Sequence, residues 1–380
     1  MKQKVYISAP GLFTPLGIGA LHNFSEIKSG KSGIRYHKNA SISSEPFYAA
    51  MIPNSVVDAT FNKLGNPNVF TKLEKMMLVA ATETIKKSLA NISERTLLLV
   101  ATTKGNVDTL SNKSNFGNSR AYLPELAQTV ADFLEIKTTP VVVSNACVSG
   151  ILAVAVAKKL VAYGVYDNVL IVSGDLISQF TFSGFNSFQA LSDMPCKPYS
   201  KNRNGITIGE AAASVYISKV KPNKNAIEIV GDGSCNDANH ISGPSRTGDG
   251  LLKSVEAALE EAALTPEQID FISAHGTATM YNDEMEAMAF NRAHLQHTPL
   301  HSLKGVFGHT LGASGLLEAI IAMEMMNQET LLPSVGFDAL GVSQPLQIIE
   351  KLKKQTIKTC LKTASGFGGC NTAVLFKKVS

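Results

Sequence analysis

Hydrophobic positions recur along this chain in two rhythms. Short β-rich runs at Val5 to Ser8, Thr96 to Thr103, Val141 to Ser144, Val169 to Ser173 and Ala211 to Lys219 predict strands, the first ended by Ala9, Pro10 and Gly11. Between them, apolar residues at helical spacing predict helices. Lys72 to Leu89 carries Leu73, Met76, Met77, Ala80, Ala81 and Ile85 on one face, and Ala121 to Glu135 and Ser149 to Tyr163 follow. The order then repeats: strand Ile227 to Val230, helix Gly250 to Ala263, strand Ile269 to Ser273, helix Asp283 to His294, strand Leu300 to Leu303, helix Gly315 to Asn327, and strands near Lys358 to Ala364 and Thr372 to Phe376. The alternation predicts an α/β protein of two similar halves, residues 1–222 and 223–380, meeting at the polar, turn-forming Pro222 to Asn225. Ser149-Gly150-Ile151-Leu152 and Ser314-Gly315-Leu316-Leu317 echo one another at the start of two helices that are apolar on nearly every side. Helices of that kind belong between sheets, so the architecture is expected to be layered.

Composition narrows the function. The chain has 380 residues, 44% hydrophobic and 17% charged, which suits two domains at about 100–200 residues each and argues against disorder. Thirty-five Lys and Arg against 31 Asp and Glu leave +4, too small and dispersed an excess to imply nucleic acid. No stretch approaches the roughly eighteen apolar residues of a membrane span, and Met1 to Gly11 lacks the features of a signal peptide. A soluble, cytoplasmic protein without membrane insertion is expected. Five cysteines at 147, 196, 235, 360 and 370 show no CxxC spacing, so any chemistry they perform is thiol chemistry.

Three residues stand out as candidates. Cys147, in VVVSNACVSG, falls at a tight turn between a β-branched strand and an apolar helix. A helix N-terminus there is expected to lower the thiol pKa and favour the nucleophilic thiolate, whereas a core cysteine is the bland alternative. His275, in ISAHGTAT, follows a predicted strand, and His309, in KGVFGHTLGASG, lies in a Gly-rich turn feeding a helix. Two imidazoles beside a turn-seated thiol suit thioester chemistry, because neutral imidazoles donate hydrogen bonds to a developing enolate or oxyanion. His22, His37, His240, His294, His297 and His301 are read as structural. The three candidates come from separate segments with no carboxylate beside them, which disfavours a metal site. Lys304 and Glu318 are expected to form a buried pair that orients the histidine loop. In Ser365 to Asn371 the glycines, Gly368 among them, let backbone N–H groups approach a substrate carbonyl, with Phe367 as an apolar gate.

In this order the motifs NACVSG, KPYSKNRNGITIGEAAA at 197 to 213, AHGTAT followed by Asp283 and Glu286, KGVFGHTLGASG and GFGGCN resemble the β-ketoacyl-[acyl carrier protein] synthase family of the thiolase superfamily, over nearly the whole chain. The resemblance implies a duplicated five-layered αβαβα sandwich, as a homodimer. It implies that Cys147 takes an acyl chain from an acyl carrier protein, with the backbone N–H groups of Cys147 and Phe367 as oxyanion hole. His275 and His309 then bind a malonyl thioester and stabilise the carbanion left by decarboxylation, while Lys304 and Glu318 organise the site. Substrates ride on the carrier's phosphopantetheine and no further cofactor is implied. Phe182, Phe185 and Phe188 fall near the family's acyl tunnel, and Lys72, with Lys63 and Lys75, is read as a basic docking patch for an acidic carrier.

The chain also departs from the family pattern. Lys104 to Leu123 is shorter than in housekeeping members, Gly305 stands where Ser is common, Ser314 replaces Ala and Cys370 replaces Thr. Acyl length and pathway, fatty acid or specialised polyketide or polyene, are therefore left open. The alternative is a ketosynthase subunit that needs a related chain-length-factor partner in a heterodimer. A thiolase using Cys370 as base and a papain-like hydrolase are the remaining rivals; the first lacks its own turn motif and the second leaves one histidine without a role.

Overall fold

The computed structural model describes residues 3–88, 92–111, 114–222, 225–238 and 243–379. Leu89 of the predicted first helix, His240, and Asn223 and Lys224 at the predicted boundary lie outside them. Among the described residues the main sheet has eleven strands, a short one at Gly17–Ile18 paired with the end of β1 and ten that form its path: β1 (Tyr6–Thr14), β2 (Thr96–Ala101), β3 (Val141–Val143), β4 (Asn168–Asp175), β5 (Ala211–Ser218), β6 (Ala226–Asn236), β7 (Phe271–Ser273), β8 (Leu300–His301), β9 (Thr359–Gly366) and β10 (Cys370–Val379). Their spatial order is β8-β7-β9-β10-β6-β1-β5-β4-β2-β3. Read outward from the central β1/β6 pair, each half has the same plan. Two antiparallel pairings (β1/β5 and β5/β4; β6/β10 and β10/β9) are followed by two parallel ones (β4/β2 and β2/β3; β9/β7 and β7/β8). Tyr6 and Ile7 pair with Glu228 and Ile227 across the seam, and Ile229 N–H bonds the Val5 carbonyl at 3.0 Å.

Helices supply the other layers. α1 (Lys72–Ser88) packs on β1, β5 and β4, α2 (Leu123–Phe133) lies beside α1, and α4 (Gln179–Ser187) follows β4. α5 (Asp249–Ala262) covers β6 and β10 on the other half, with α6 (Met280–Arg292) beside it. Between the half-sheets lie α3 (Ser149–Ala162) and α7 (Ser314–Gln328), each touching strands of both halves. That sandwiched position explains why α7 is buried on almost every side. It also explains why Thr96–Ala101 is wholly buried rather than alternating: helices cover both faces of β2. The Ser-Gly echo is the crossing of the two middle helices. A Cβ on Gly150 would lie 2.7 Å from the Gly312 carbonyl oxygen, and one on Gly315 would lie 2.9 Å from the Ile151 nitrogen, so each helix needs the other's glycine to approach.

One strand end differs from expectation. β1 continues through Ala9-Pro10-Gly11 to Thr14, with its register on β5 shifting between Ser8 and Gly11 and Ala9 at φ 50°. A bulge takes the proline, which cannot donate to the ladder, and pairing resumes beyond it.

Candidate active site

Cys147, His275 and His309 converge where the carboxyl ends of the parallel strands meet the middle helices, their reactive atoms within 4.8 Å of one another. The turn from β3 into α3 passes through Ala146 in the left-handed region at φ 43°, which sets the Cys147 side chain at the head of the helix. His309 Nε2 lies 3.1 Å from Cys147 Sγ, and the His275 ring stands edge-on to His309 with centroids 5.2 Å apart.

Each histidine is held through its backbone. Glu286 accepts the N–H groups of His275 and Gly276 at 2.8 and 2.7 Å, and Asp283, three residues earlier on the same face of α6, accepts those of Thr277 and Ala278 at 3.0 and 3.2 Å. Tyr199 locks the pair together, its N–H on Asp283 and its O–H on Glu286. His309 donates its N–H to the Thr207 carbonyl at 2.6 Å and accepts from Gly209 N–H at 3.0 Å, so the 197–213 segment carries the second imidazole.

The expected Lys304–Glu318 pair is present at 2.7 Å and buried, but Lys304 reaches His275 rather than the His309 loop. Its Nζ lies 2.7 Å from the His275 carbonyl and 3.3 Å from Nδ1. An ammonium only donates, so Nδ1 is the acceptor and the proton sits on Nε2, which leaves His275 a hydrogen-bond donor. Burial works to raise the Glu318 pKa, yet Lys304 and Lys362 overcome it and hold the carboxyl below its ordinary range.

The thiol differs from the sequence expectation. Burial first, then the neighbouring Cys370, pushes the Cys147 pKa up to about 12. The leading amides of the helix are engaged locally, Val148 N–H on the Asn145 carbonyl at 3.2 Å and Ser149 N–H on that of Ala146 at 3.3 Å. Burial, with Lys304 next, likewise pulls both imidazoles well below the usual histidine range. The resting site is a neutral thiol beside neutral imidazoles.

A cavity of about 310 Å³ opens from the three residues and is lined also by Phe185, Phe188, Thr277, Thr279 and Phe367. Phe367 packs on Phe185 and Phe188 at 5.7 and 5.4 Å between centroids. Phe182 is not among the lining residues; it packs on Phe47 at 4.6 Å between centroids, in a cluster that Phe185 also borders. Gly368 is exposed at the tip of the turn, its carbonyl taken by Asn236, while Gly366 lies against the site: a Cβ there would be 3.0 Å from Cys147 N. Cys370 lies behind that turn, Sγ 3.5 Å from the Phe367 carbonyl.

The predicted basic patch is not presented as a patch. Lys72 is ion-paired with buried Glu210 and Lys75 with Asp58 at 2.5 Å; Lys63 is exposed. Residues the sequence reading missed include Lys362, Tyr199 and Asp175, a buried carboxylate that bonds the Thr103 and Gly312 amides at 2.9 and 2.8 Å and so ties the loop after β2 to the turn beyond His309. The signal for Lys362 was available: it is the one charged residue in the strand segment Thr359–Gly366, TCLKTASG.

Two family models match consecutive stretches, the β-ketoacyl synthase N-terminal domain over residues 2–222 and its C-terminal domain over 226–338. A 3-oxoacyl-[acyl-carrier-protein] synthase 2 from Coxiella burnetii is 26% identical over 415 residues, covering 100% of this chain and 99% of that protein. In fold, the chain is similar to a ketosynthase (ApeO) solved in complex with its chain length factor (ApeC) from Xenorhabdus doucetiae, with TM-score 0.86, 24% identity and 99% and 98% of the two chains covered. It is similar also to the ishigamide ketosynthase/chain length factor, with TM-score 0.87, 20% identity and both chains covered in full. With a thiol and two imidazoles at the head of a duplicated layered fold, and both family models matched in sequence order, the chain belongs to the β-ketoacyl synthase family of condensing acyltransferases.

Proposed function

We propose that the chain lengthens an acyl group by two carbons, taking the primer from the phosphopantetheine thioester of an acyl carrier protein and condensing it with a malonyl thioester. The observation that carries this reading is the 3.1 Å contact between Cys147 Sγ and His309 Nε2, with His275 in ring contact alongside. In the first step Cys147 sulfur attacks the primer carbonyl. Its proton passes through His309 to the departing carrier thiol, so acylation needs no free thiolate. The oxyanion falls to the Cys147 and Phe367 N–H groups, and Phe367 swings aside to admit the primer past Phe185 and Phe188.

In the second step His275 Nε2–H, with His309 beside it, donates to the malonyl thioester oxygen. The carboxylate leaves as carbon dioxide, its bonding pair stays as the enolate, and that carbanion attacks the acyl carbon on Cys147 and expels the thiolate, which takes a proton from water. A hydrolase would have no use for the second imidazole. A cytoplasmic homodimer is the proposed assembly. Likeness to two ketosynthases associated with chain length factors favours one further reading, in which a related subunit completes the acyl pocket.

The test is intact-protein mass after exposure to carrier thioesters of graded length and unsaturation, with carbon dioxide release from malonyl thioester and Cys147→Ala as control. A mass gain confined to the wild type, together with carbon dioxide release, is expected. A folded protein that acquires no adduct from any carrier, alone or with a related subunit, refutes the proposal.

A further inference from the structure

Lys362 has no part in the chemistry above, yet it is fully buried beneath it. Its Nζ has four acceptors: Glu318 Oε2 at 2.6 Å and the carbonyls of Thr363, Ser273 and Ala274 at 2.7, 3.1 and 3.3 Å. A neutral amine would turn its lone pair on one of these oxygens, so the surroundings suit an ammonium. Lys304 takes the other Glu318 oxygen and the next carbonyl, that of His275. Two lysines therefore grip three successive carbonyls, 273 to 275, and both oxygens of one carboxylate. Lys304 and Glu318 alone would be neutral; with Lys362 the cluster carries a net positive charge directly under the imidazoles. Apolar packing would hold the strand end at no desolvation cost, so stability is a poor reason for a second buried lysine.

We propose that Lys362 is a positioning residue that keeps this buried cluster net positive beneath His275 and His309, favouring the negative charge that develops on a thioester oxygen bound there. Lys362 adds to Lys304 in pulling both imidazoles down, after burial, which has the larger effect. Burial pulls the Lys362 pKa down as well, with Glu318 opposing it. The other titratable groups around the imidazoles are Cys147, Cys370, Tyr199, Glu286 and Asp283, with Asp175 and Lys104 toward Cys147 and His301 toward Lys362. Asp283, pushed up to about 7 by burial, titrates in the assay range, but it bonds the Tyr199, Thr277 and Ala278 amides and is common to wild type and variants.

The inference rests on the proposed condensing reaction, so the readout is malonyl-thioester decarboxylation against pH. The imidazoles must be neutral, and the rate falls as pH drops through their pKa. Removing a nearby positive charge raises that pKa, so in Lys362→Met the acid limb moves up by about one pH unit, with kcat down about tenfold at neutral pH and KM within about twofold. Lys362→Gln, which keeps a hydrogen-bond donor without the charge, moves the limb in the same way. In Lys362→Met/Glu318→Gln the cluster is again net positive through Lys304, and the limb returns close to that of the wild type. Single variants whose rate falls evenly at all pH values overturn the proposal, since that is the mark of a merely structural role. If the single variants do not fold, a limb raised by about a unit in the double variant overturns it. A wild type that releases no carbon dioxide defeats the condensing reading, and this inference with it; an active wild type with unmoved variants defeats this inference alone.

Discussion

Lys72 separates a surface role from a buried one. It opens α1 with its side chain 17% exposed, and its ammonium is paired with Glu210, a carboxylate with no exposed surface that also accepts the N–H groups of Ile52 at 2.7 Å and Ile177 at 3.3 Å. Lys72→Met removes the counter-charge from a carboxylate that cannot reach water. Breaking a buried pair on one side costs about 3–5 kcal/mol, and the partial exposure of Lys72 puts this case near 3. Lys72→Glu sets a second carboxylate against the first and reaches the top of that range. For a chain of this length each kcal/mol lowers the melting temperature by roughly 1.25 °C, so falls of about 4 °C and 6 °C are expected by scanning calorimetry. The KM for a carrier-bound thioester, measured in parallel on the folded fraction, stays within about twofold of the wild type. Lys63→Glu, on an exposed side chain, shifts melting by less than about 0.5 kcal/mol. A Lys72→Glu protein that melts like the wild type but needs several-fold more carrier substrate would show that the ammonium faces a partner, and the burial argument would be wrong.

Two further outcomes follow from the site. With the Cys147 thiol pushed up to about 12, thiolate is scarce at neutral pH and increases as pH rises toward that value, so alkylation by iodoacetamide climbs about tenfold per pH unit from neutrality with no plateau below about pH 10; a plateau near pH 7 would mean that the helix end prevails over burial. In Gly366→Ala the new Cβ lies 3.0 Å from Cys147 N and 2.8 Å from Cys370 Sγ, crowding the amide proposed to face the oxyanion. Acylation of Cys147, followed by intact mass, should slow about a hundredfold while melting shifts by only about 1–3 kcal/mol, and an unchanged acylation rate would remove that amide from the mechanism.

Local pattern carried much of this protein. The helix predicted from Lys72 is present as Lys72–Ser88, and the turn holding Cys147 was legible because a β-branched run, small residues and an apolar helix follow one another within ten positions. Periodicity reports which faces are buried, and that is a local property of the chain. The duplication was legible for the same reason, since each half writes the same order of rhythms. What the chain could not declare is which distant groups meet. Cys147 and His309 are 162 positions apart and touch; Lys362 and Glu318 are 44 apart and share a proton-rich cluster. Phe182 and Phe185 sit three apart on one helix, yet one packs against Phe47 and the other lines the cavity. Charge was misread for the same cause: a lysine reads as solvated until tertiary packing closes over it, and the state of a thiol depends on how much water remains around it rather than on the helix it caps. The sequence by itself determined the elements, their order and the reactive residue types; tertiary structure decided burial and long-range contact, and through them which groups are charged, which are paired and which can reach substrate.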